Sequence, residues 1–200
     1  MKTKSLYSIL SAALFVLIAL PVFTSDALAQ KTAAPRATAK TVSKKNPVPK
    51  NWEYIFDKKK GYGFYVPVGT TLETSSYKGV NVAALTTPAN IDIFVLAFKD
   101  KTLTKDDLLE TAVLFLEELG QEVTPGALKA ESEDYAVADA MTVHPQLGKG
   151  KLRILVGTDI TDNYIMIIGA NLKDFAANEK TIDTIWGSFE MWSGGASGNN

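Results

Sequence analysis

The 200-residue chain contains no cysteine and a single histidine, His144. Without thiols it can form no disulfide, no cysteine-ligated zinc or iron–sulfur site, no c-type haem attachment and no cysteine nucleophile. One imidazole also excludes metal centres that need several histidines. With 46% hydrophobic and 22% charged residues, the composition is that of a globular protein with about one domain.

Motifs that carry catalysis are also missing. The sequence has no G-x-S-x-G nucleophile elbow, and His144 belongs to no HExxH motif. His144 stands before Pro145, so we expect a turn residue with an exposed ring. The G-x-G stretches at residues 61–63 and 148–150 lack the other features of a phosphate-binding loop. The sequence therefore predicts no catalytic residue and no cofactor.

Charge is unevenly distributed, so the net charge of −1 conceals three different segments. Residues 1–29 hold two basic residues and one acid, whereas residues 30–51 hold six basic residues and no acid. Residues 52–200 hold 13 basic and 21 acidic residues, a net charge of −8. We interpret the three as a leader, a linker and a folded domain over 52–193, with 194–200 as a disordered polar tail.

The first 29 residues have the pattern of a secretory signal peptide. Lys2 and Lys4 precede an uncharged apolar run over residues 6–20, and Ala27 and Ala29 offer the small side chains that signal peptidase recognises. We expect cleavage after Ala29 and a periplasmic or secreted protein. An uncleaved anchor is the alternative, although Pro21 leaves the run short of the roughly 20 residues that a membrane span needs. A lipoprotein is not expected, because no cysteine could carry the lipid.

Residues 30–51 contain three prolines but no leucine, isoleucine or aromatic residue. Such a segment cannot bury enough apolar surface to fold, so we predict a disordered basic linker. Each basic residue near an anionic membrane surface is worth about 1 kcal/mol, which allows a weak contact with such a surface. The charges are spread out rather than clustered, which favours a solvated spacer. Nucleic acid is not an expected partner of an exported acidic domain.

From Trp52 onward, short alternating or apolar runs between turn residues predict strands. Their predicted ranges are 52–57, 62–66, 80–86, 91–98, 127–133, 135–143, 149–158 and 164–170. Gly61 is expected to close the first hairpin at positive φ, and 91–98 to be a central strand covered on both faces. One helix is predicted from an N-cap at Thr104 to Gly120, and another after Asn171 or Asp174. This order predicts an α+β fold with an antiparallel sheet flanked by helices.

Three basic residues are candidates for a binding surface. Lys149, Lys151 and Arg153 share one face of a predicted strand, with apolar residues on the other face. They are either a charged binding stripe or, as we favour, a solvent-facing ladder of cross-strand ion pairs. Glu131 and Glu133 are the acids expected to face them.

Four aromatic residues lie near the first predicted hairpin: Trp52, Tyr54, Tyr62 and Tyr65. Together they could form one wall of a small-ligand carrier. Rings of this kind more often pack in a core or at a sheet edge. The carrier function is therefore an alternative.

Acidic residues crowd one predicted turn, which contains Asp159, Asp162 and Asn163. Carboxylate and amide oxygens are calcium ligands, but the spacing lacks the glycine and terminal glutamate of an EF-hand loop. Asp and Asn are also the usual residues of turns. A metal-dependent enzyme that uses Asp159 and Asp162 is therefore a second alternative.

Two short motifs carry a family resemblance. The strand–turn YGFYVPVG at residues 62–69 and the closing I-x-x-I-x-x-S-F at 182–189 resemble the PsbP-like and DcrB-like superfamily, which includes the Ran-binding Mog proteins. The likeness spans about residues 54–191, with two departures: Thr70 stands where the family usually has Trp, and the lipobox Cys of exported bacterial relatives is absent. It implies an α/β/α sandwich and a non-catalytic binding or assembly role. The leading hypothesis is an exported, non-enzymatic module of the cell envelope that binds an unidentified protein partner.

Overall fold

The computed structural model describes residues 40–41, 47–100, 103–159 and 162–192. The predicted signal peptide, most of the linker and the polar tail lie outside these ranges. Within them, no helix is long and apolar enough to cross a membrane.

The described part of the chain contains twelve strands and three helices. The strands are β1 (Lys40–Thr41), β2 (Trp52–Asp57), β3 (Tyr62–Pro67), β4 (Thr71–Tyr77), β5 (Val80–Thr86), β6 (Asp92–Lys99), β7 (Glu122–Pro125), β8 (Lys129–Ala130), β9 (Tyr135–His144), β10 (Gly148–Asp159), β11 (Asp162–Asn171) and β12 (Glu190–Met191). The helices are α1 (Lys105–Glu118), α2 (Leu172–Ala177) and α3 (Glu179–Gly187).

The strands form two antiparallel sheets. The main sheet has the order β4-β5-β6-β11-β10-β9-β7, with β8 also paired to β9. The small sheet has the order β1-β12-β3-β2. The predicted α+β architecture with an antiparallel sheet is confirmed.

Alternation along the main sheet sends apolar side chains into two separate cores. On one face, residues such as Leu96 pack with Phe115 of α1. On the other face, residues such as Val95 pack in one cluster with Ile185 of α3 and Phe64 of the small sheet. The layers are therefore α1, the main sheet, and a second layer made of α2, α3 and the small sheet. Strand β6 contributes to both cores, as predicted for a central strand.

Helix α1 begins and ends where the sequence predicts. The Thr104 hydroxyl accepts the N–H of Asp107 at 3.2 Å, and the Asp107 carboxylate accepts the N–H of Thr104 at 2.7 Å. This reciprocal pair is a capping box, and hydrogen bonds from Thr104 hold the pKa of Asp107 below its ordinary value. Gly120 follows the helix at φ +79°, and Gly61 closes the first hairpin at φ +74°.

Strand β4 was not predicted, and the predicted strand over residues 127–133 is wrong. Strand β4 has the polar sequence TLETSSY without apolar alternation, because it lies at a sheet edge and buries little. Over 127–133 only the two-residue β8 forms. The N–H groups of Glu131 and Ser132 both donate to the carbonyl of Tyr135, which makes a tight turn instead of a ladder.

The predicted final helix is two helices. Asn171 caps α2, with its side chain accepting the N–H of Asp174 at 2.9 Å. Asn178 then leaves helical geometry at φ −119° and ψ 20°, and its side-chain amide donates to the carbonyl of Asp174. Asparagine competes well for backbone acceptors, which explains the break before α3.

Part of the predicted linker pairs with the domain. Lys40 and Thr41 form β1, in register with Met191 and Glu190 of β12. The small sheet therefore combines three strands that precede the main sheet in sequence, β1, β2 and β3, with β12, which follows it.

Candidate functional site

Arg153 is the centre of an ion-pair cluster between the main sheet and α3. Its side chain is only 12% exposed. Nε donates to Oδ1 of Asp139 on β9 at 2.9 Å, and Nη1 donates to Oδ1 of Asp183 on α3. The guanidinium lies 5.8 Å from the ring centre of Trp186, a cation–π distance. The cluster therefore joins β9 and β10 of the main sheet to α3.

Arg153 affects the pKa of Asp139, which lies opposite it on β9. Burial alone would raise the pKa of Asp139, but hydrogen bonds and charges from Arg153 and Lys151 outweigh burial and hold that pKa below its ordinary value. The acids predicted to face the stripe, Glu131 and Glu133, lie instead in the bends before β9. The ion-pair interpretation holds for Arg153, with Asp139 and Asp183 as the actual partners.

The basic stripe becomes more exposed away from Arg153. Lys151 Nζ lies 3.5 Å from Asp139 Oδ2 and 4.8 Å from the ring centre of Phe175 on α2. Lys149, two residues further along β10, is exposed and has no partner among the described residues. The stripe thus runs from the edge of the helical layer onto open sheet surface.

Two large apolar side chains of β9 lie beside Lys149 and Lys151. Met141 is in register with Lys151, and Val143 with Lys149, so all four share one face of the sheet. Met141 is 44% exposed and Val143 is 40% exposed. The exposure of both side chains shows that the second layer leaves this part of β9 largely uncovered.

Leu172, at the start of α2, lies at the same end of this surface and is 43% exposed. The residue before it, Asn171, is in register with Gly150, which is itself in register with Thr142. We call the surface formed by Met141, Val143, Lys149 and Lys151 the β9–β10 face. The five exposed large hydrophobic residues of the described chain are Val68, Leu114, Met141, Val143 and Leu172, and two of them, Met141 and Val143, lie on this face.

Sequence reasoning identified the two lysines of the β9–β10 face but missed its apolar residues. Strand β9 is apolar on both faces, so its sequence is typical of a buried strand. The odd-numbered residues of β9 do carry one sequence signal, because the charged Asp139 interrupts an otherwise apolar series. The two apolar residues that follow Asp139 in this series, Met141 and Val143, lie outside the core.

The four aromatic candidates do not form one wall. Tyr62 points into the core and is 5% exposed, while Trp52 packs partly against the same core. Tyr54 and Tyr65 lie on the other face of the small sheet with ring centres 4.8 Å apart. The Tyr54 hydroxyl donates to Glu190 Oε2 at 3.3 Å. These contacts give Tyr54 and Tyr65 a packing role.

Burial and the Glu190 carboxylate both raise the pKa of Tyr54, so its hydroxyl stays a neutral donor. Tyr54 also lies over Gly63, where any β-carbon would collide with the hydroxyl. A larger residue at position 63 would therefore have to displace the end of the Tyr54 side chain.

Two of the three candidate ligands in the acidic turn, Asp162 and Asn163, already contact other groups. Asp162 Oδ1 lies 3.9 Å from Lys99 Nζ, so a cation already balances this carboxylate. Asn163 is 2% exposed, and its amide donates to the carbonyl of Asp100 at 2.6 Å. Asp159 is in register with Asp162, but its side chain lies outside the described part of the chain. No group of three or more metal-ligating side chains occurs among the described residues.

His144 is the last residue of β9 and is half-buried, so the prediction of an exposed ring is wrong. Its Nδ1 accepts the N–H of Gln146 at 3.1 Å, which closes the turn to β10. The hydrogen bond within the turn draws the ring against the backbone.

A small pocket lies where the β2–β3 hairpin meets the ends of β6 and β11. Its volume is about 100 Å³, and its lining includes Lys60, Lys99 and Tyr164. Small-molecule sites usually have volumes of roughly 300 Å³ or more. The pocket is therefore too small to serve as a ligand-carrier cavity.

These features define an α+β protein of the PsbP-like fold. The structure resembles the solution structure of cyanobacterial PsbP (CyanoP) from Synechocystis sp. PCC 6803, with a TM-score of 0.58 and 17% sequence identity. The match covers 75% of this chain and 98% of that chain. No protein family and no curated protein matches the sequence. At this identity the likeness shows the fold, which confirms the PsbP-like prediction; the likeness to DcrB and Mog proteins stays a prediction.

Proposed function

We propose that this protein is a non-enzymatic binding module that contacts a protein partner through the β9–β10 face. The observation that carries the proposal is the concentration of exposed apolar side chains there, next to two lysines. Exposed apolar groups with a polar rim are typical of protein interfaces. The PsbP-like fold supports the proposal, because the family resemblance implies a binding or assembly role.

The chemistry of the face suits protein contact. Met141 has a flexible, polarisable side chain that adapts to different partner shapes. The aliphatic stem of Lys149 extends the apolar area while its ammonium group stays in water, whereas the Lys151 ammonium group pairs with Asp139. A partner that presents apolar side chains next to carboxylates would match this surface.

Changing Met141 and Val143 together to glutamate tests the proposal. We expect recovery of the partner from an extract of the native cells to fall at least tenfold, because two carboxylates would have to be buried in the interface. In the free protein the new carboxylates lie opposite lysines, so the fold should be kept. The measurement is affinity capture with quantitative mass spectrometry of the captured proteins.

The matched controls are Val68→Glu and Leu114→Glu, which alter exposed apolar residues elsewhere. Val68 is 56% exposed and Leu114 is 52% exposed. Both should recover the same partner as the unaltered protein. Equal recovery by the Met141/Val143 variant and by these controls would rule out the β9–β10 face as the binding surface.

We further propose that the mature protein is periplasmic or secreted, with residues 30–39, the part of the basic segment that precedes β1, as a tether. Signal peptidase would cut after Ala29, so the protein isolated from its native cells should begin at Gln30. N-terminal sequencing of that protein measures this. A chain that still contains residues 6–20 would contradict cleavage and favour the retained anchor.

A further inference from the structure

Strand β4 forms one end of the main sheet among the described strands. Its seven residues pair with β5 in unbroken register from Thr71–Thr86 to Tyr77–Val80. Natural proteins usually protect such edges with lysine, proline, bulges or short strands. Strand β4 has none of these, and Glu73 is its one charge. The opposite end, β7, has four residues and stops at Pro125.

The hairpin between β4 and β5 determines which backbone groups of β4 point outward. Lys78 and Gly79 have φ values of 46° and 82°, the left-handed pair of a two-residue type I′ turn. The residues flanking such a turn, Tyr77 and Val80, form a hydrogen-bonded pair. Because the pattern alternates, every second residue before Tyr77 turns its N–H and C=O away from β5. These outward residues are Leu72, Thr74 and Ser76, and no hydrogen bond to their outward groups occurs within the described part of the chain.

We infer that a second copy of this chain pairs with this edge, antiparallel, with a twofold axis between the two Thr74 residues. In this register Thr74 meets its own counterpart, and Leu72 of each copy meets Ser76 of the other. All three outward residues then become hydrogen-bonded pairs. A symmetric interface of this kind needs a self-complementary strand, and β4 provides one.

Charge and side-chain pairing favour this register over its neighbours. Glu73 lies opposite Ser75, so no like charges face each other, whereas an axis through Glu73 would oppose two carboxylates. Thr71 lies opposite Tyr77, a β-branched and aromatic pair that stabilises antiparallel strands. Strand pairing alone buries little area, so the dimer should be weak and concentration-dependent. The β9–β10 face lies toward the opposite end of the sheet, so this inference is independent of the proposed function.

A single cysteine at position 74 tests the register directly. The natural chain has no cysteine, so Thr74→Cys carries one thiol. Residues of a hydrogen-bonded antiparallel pair lie about 5.5 Å apart between Cα atoms, within disulfide range. Under mild oxidation we expect Thr74→Cys to form a disulfide dimer at least tenfold faster than Val68→Cys, whose position is 56% exposed. Sedimentation velocity of the unaltered protein should show the mass doubling as concentration rises.

Thr74→Pro tests whether the dimer depends on this edge. The Thr74 N–H points outward, so proline removes no hydrogen bond of the monomer but blocks pairing with a second copy. We expect a monomer at every concentration with an unchanged circular dichroism spectrum. Thr74→Lys, which places like charges across the axis, should give the same result if the proline variant does not fold. The inference would be overturned if the unaltered protein stayed monomeric or if its dimer survived both substitutions. It would also be overturned if Val68→Cys cross-linked as fast as Thr74→Cys.

Discussion

Replacing Phe189 with alanine is expected to lower the free energy of unfolding by about 4 kcal/mol. Phe189 is 1% exposed, and its ring centre lies 6.1–6.2 Å from those of Tyr62, Phe64, Tyr135 and Tyr164. Two of these rings belong to the small sheet and two to the main sheet, so Phe189 joins the two sheets. Urea denaturation followed by tryptophan fluorescence measures the loss.

Two further variants separate cavity formation from a general effect of substitution. Phe189→Leu fills most of the space and should cost about 1 kcal/mol, which stays measurable if the alanine variant does not fold. Leu114→Ala, at a position 52% exposed, should change stability by less than about 0.5 kcal/mol. A loss below about 1 kcal/mol for Phe189→Ala would show that the ring is not central to the packing of the two sheets.

Replacing Arg153 with methionine is expected to lower the free energy of unfolding by about 2 kcal/mol. The substitution removes hydrogen bonds to Asp139 and Asp183 and leaves the two carboxylates without their shared cation. Both carboxylates are partly solvated, which keeps the cost below that of a fully buried pair. Lys149→Met, on the same strand face, should change stability by less than about 0.5 kcal/mol, because Lys149 is exposed. Thermal and urea unfolding of both variants measure the difference.

The stability difference between the Arg153→Met variant and the unaltered protein should depend on pH. The pKa of Asp139 is lower in the folded protein than in the unfolded chain, so its contribution is present above the unfolded pKa of about 3.9. That contribution is lost as pH falls through the folded value. The difference should therefore be largest near neutral pH and shrink below about pH 4. A difference that stays constant from pH 7 to pH 3 would contradict the ion-pair role of Arg153.

The sequence contains most of the information that determines the central strands and α1. Strand β10 alternates cleanly, with apolar residues such as Leu152 facing α1, and Thr104 and Asp107 mark the helix start by local hydrogen bonding. These signals are local, so one sequence suffices to detect them. Strand β4 and the break at Asn178 could not be predicted in this way. An edge strand needs no apolar alternation, so β4 lacks the pattern that predicts strands. The helix breaks at Asn178 because its side-chain amide donates to the carbonyl of Asp174, a hydrogen bond that sequence periodicity does not reveal.

The candidate site was predicted only in part, because it depends on where one layer ends. Lys149 and Lys151 are recognisable from alternation along β10. The exposure of Met141 and Val143 depends on how far α2 and α3 extend over the sheet. That extent is set by tertiary packing between the two layers, which has no local sequence signature. The acidic partners of Arg153 also depend on tertiary packing. They are Asp139 and Asp183, which lie far apart in sequence, and not the predicted Glu131 and Glu133.

Site-specific photo-cross-linking in the native cells tests the binding proposal most directly. A photoreactive amino acid is placed at position 141, on the β9–β10 face, or at position 68 or 114, where other exposed apolar residues lie. We predict that one partner protein is cross-linked from position 141 and that the same protein is not cross-linked from position 68 or position 114. No cross-linked protein from position 141, or the same proteins from all three positions, would contradict a protein-binding role for the β9–β10 face.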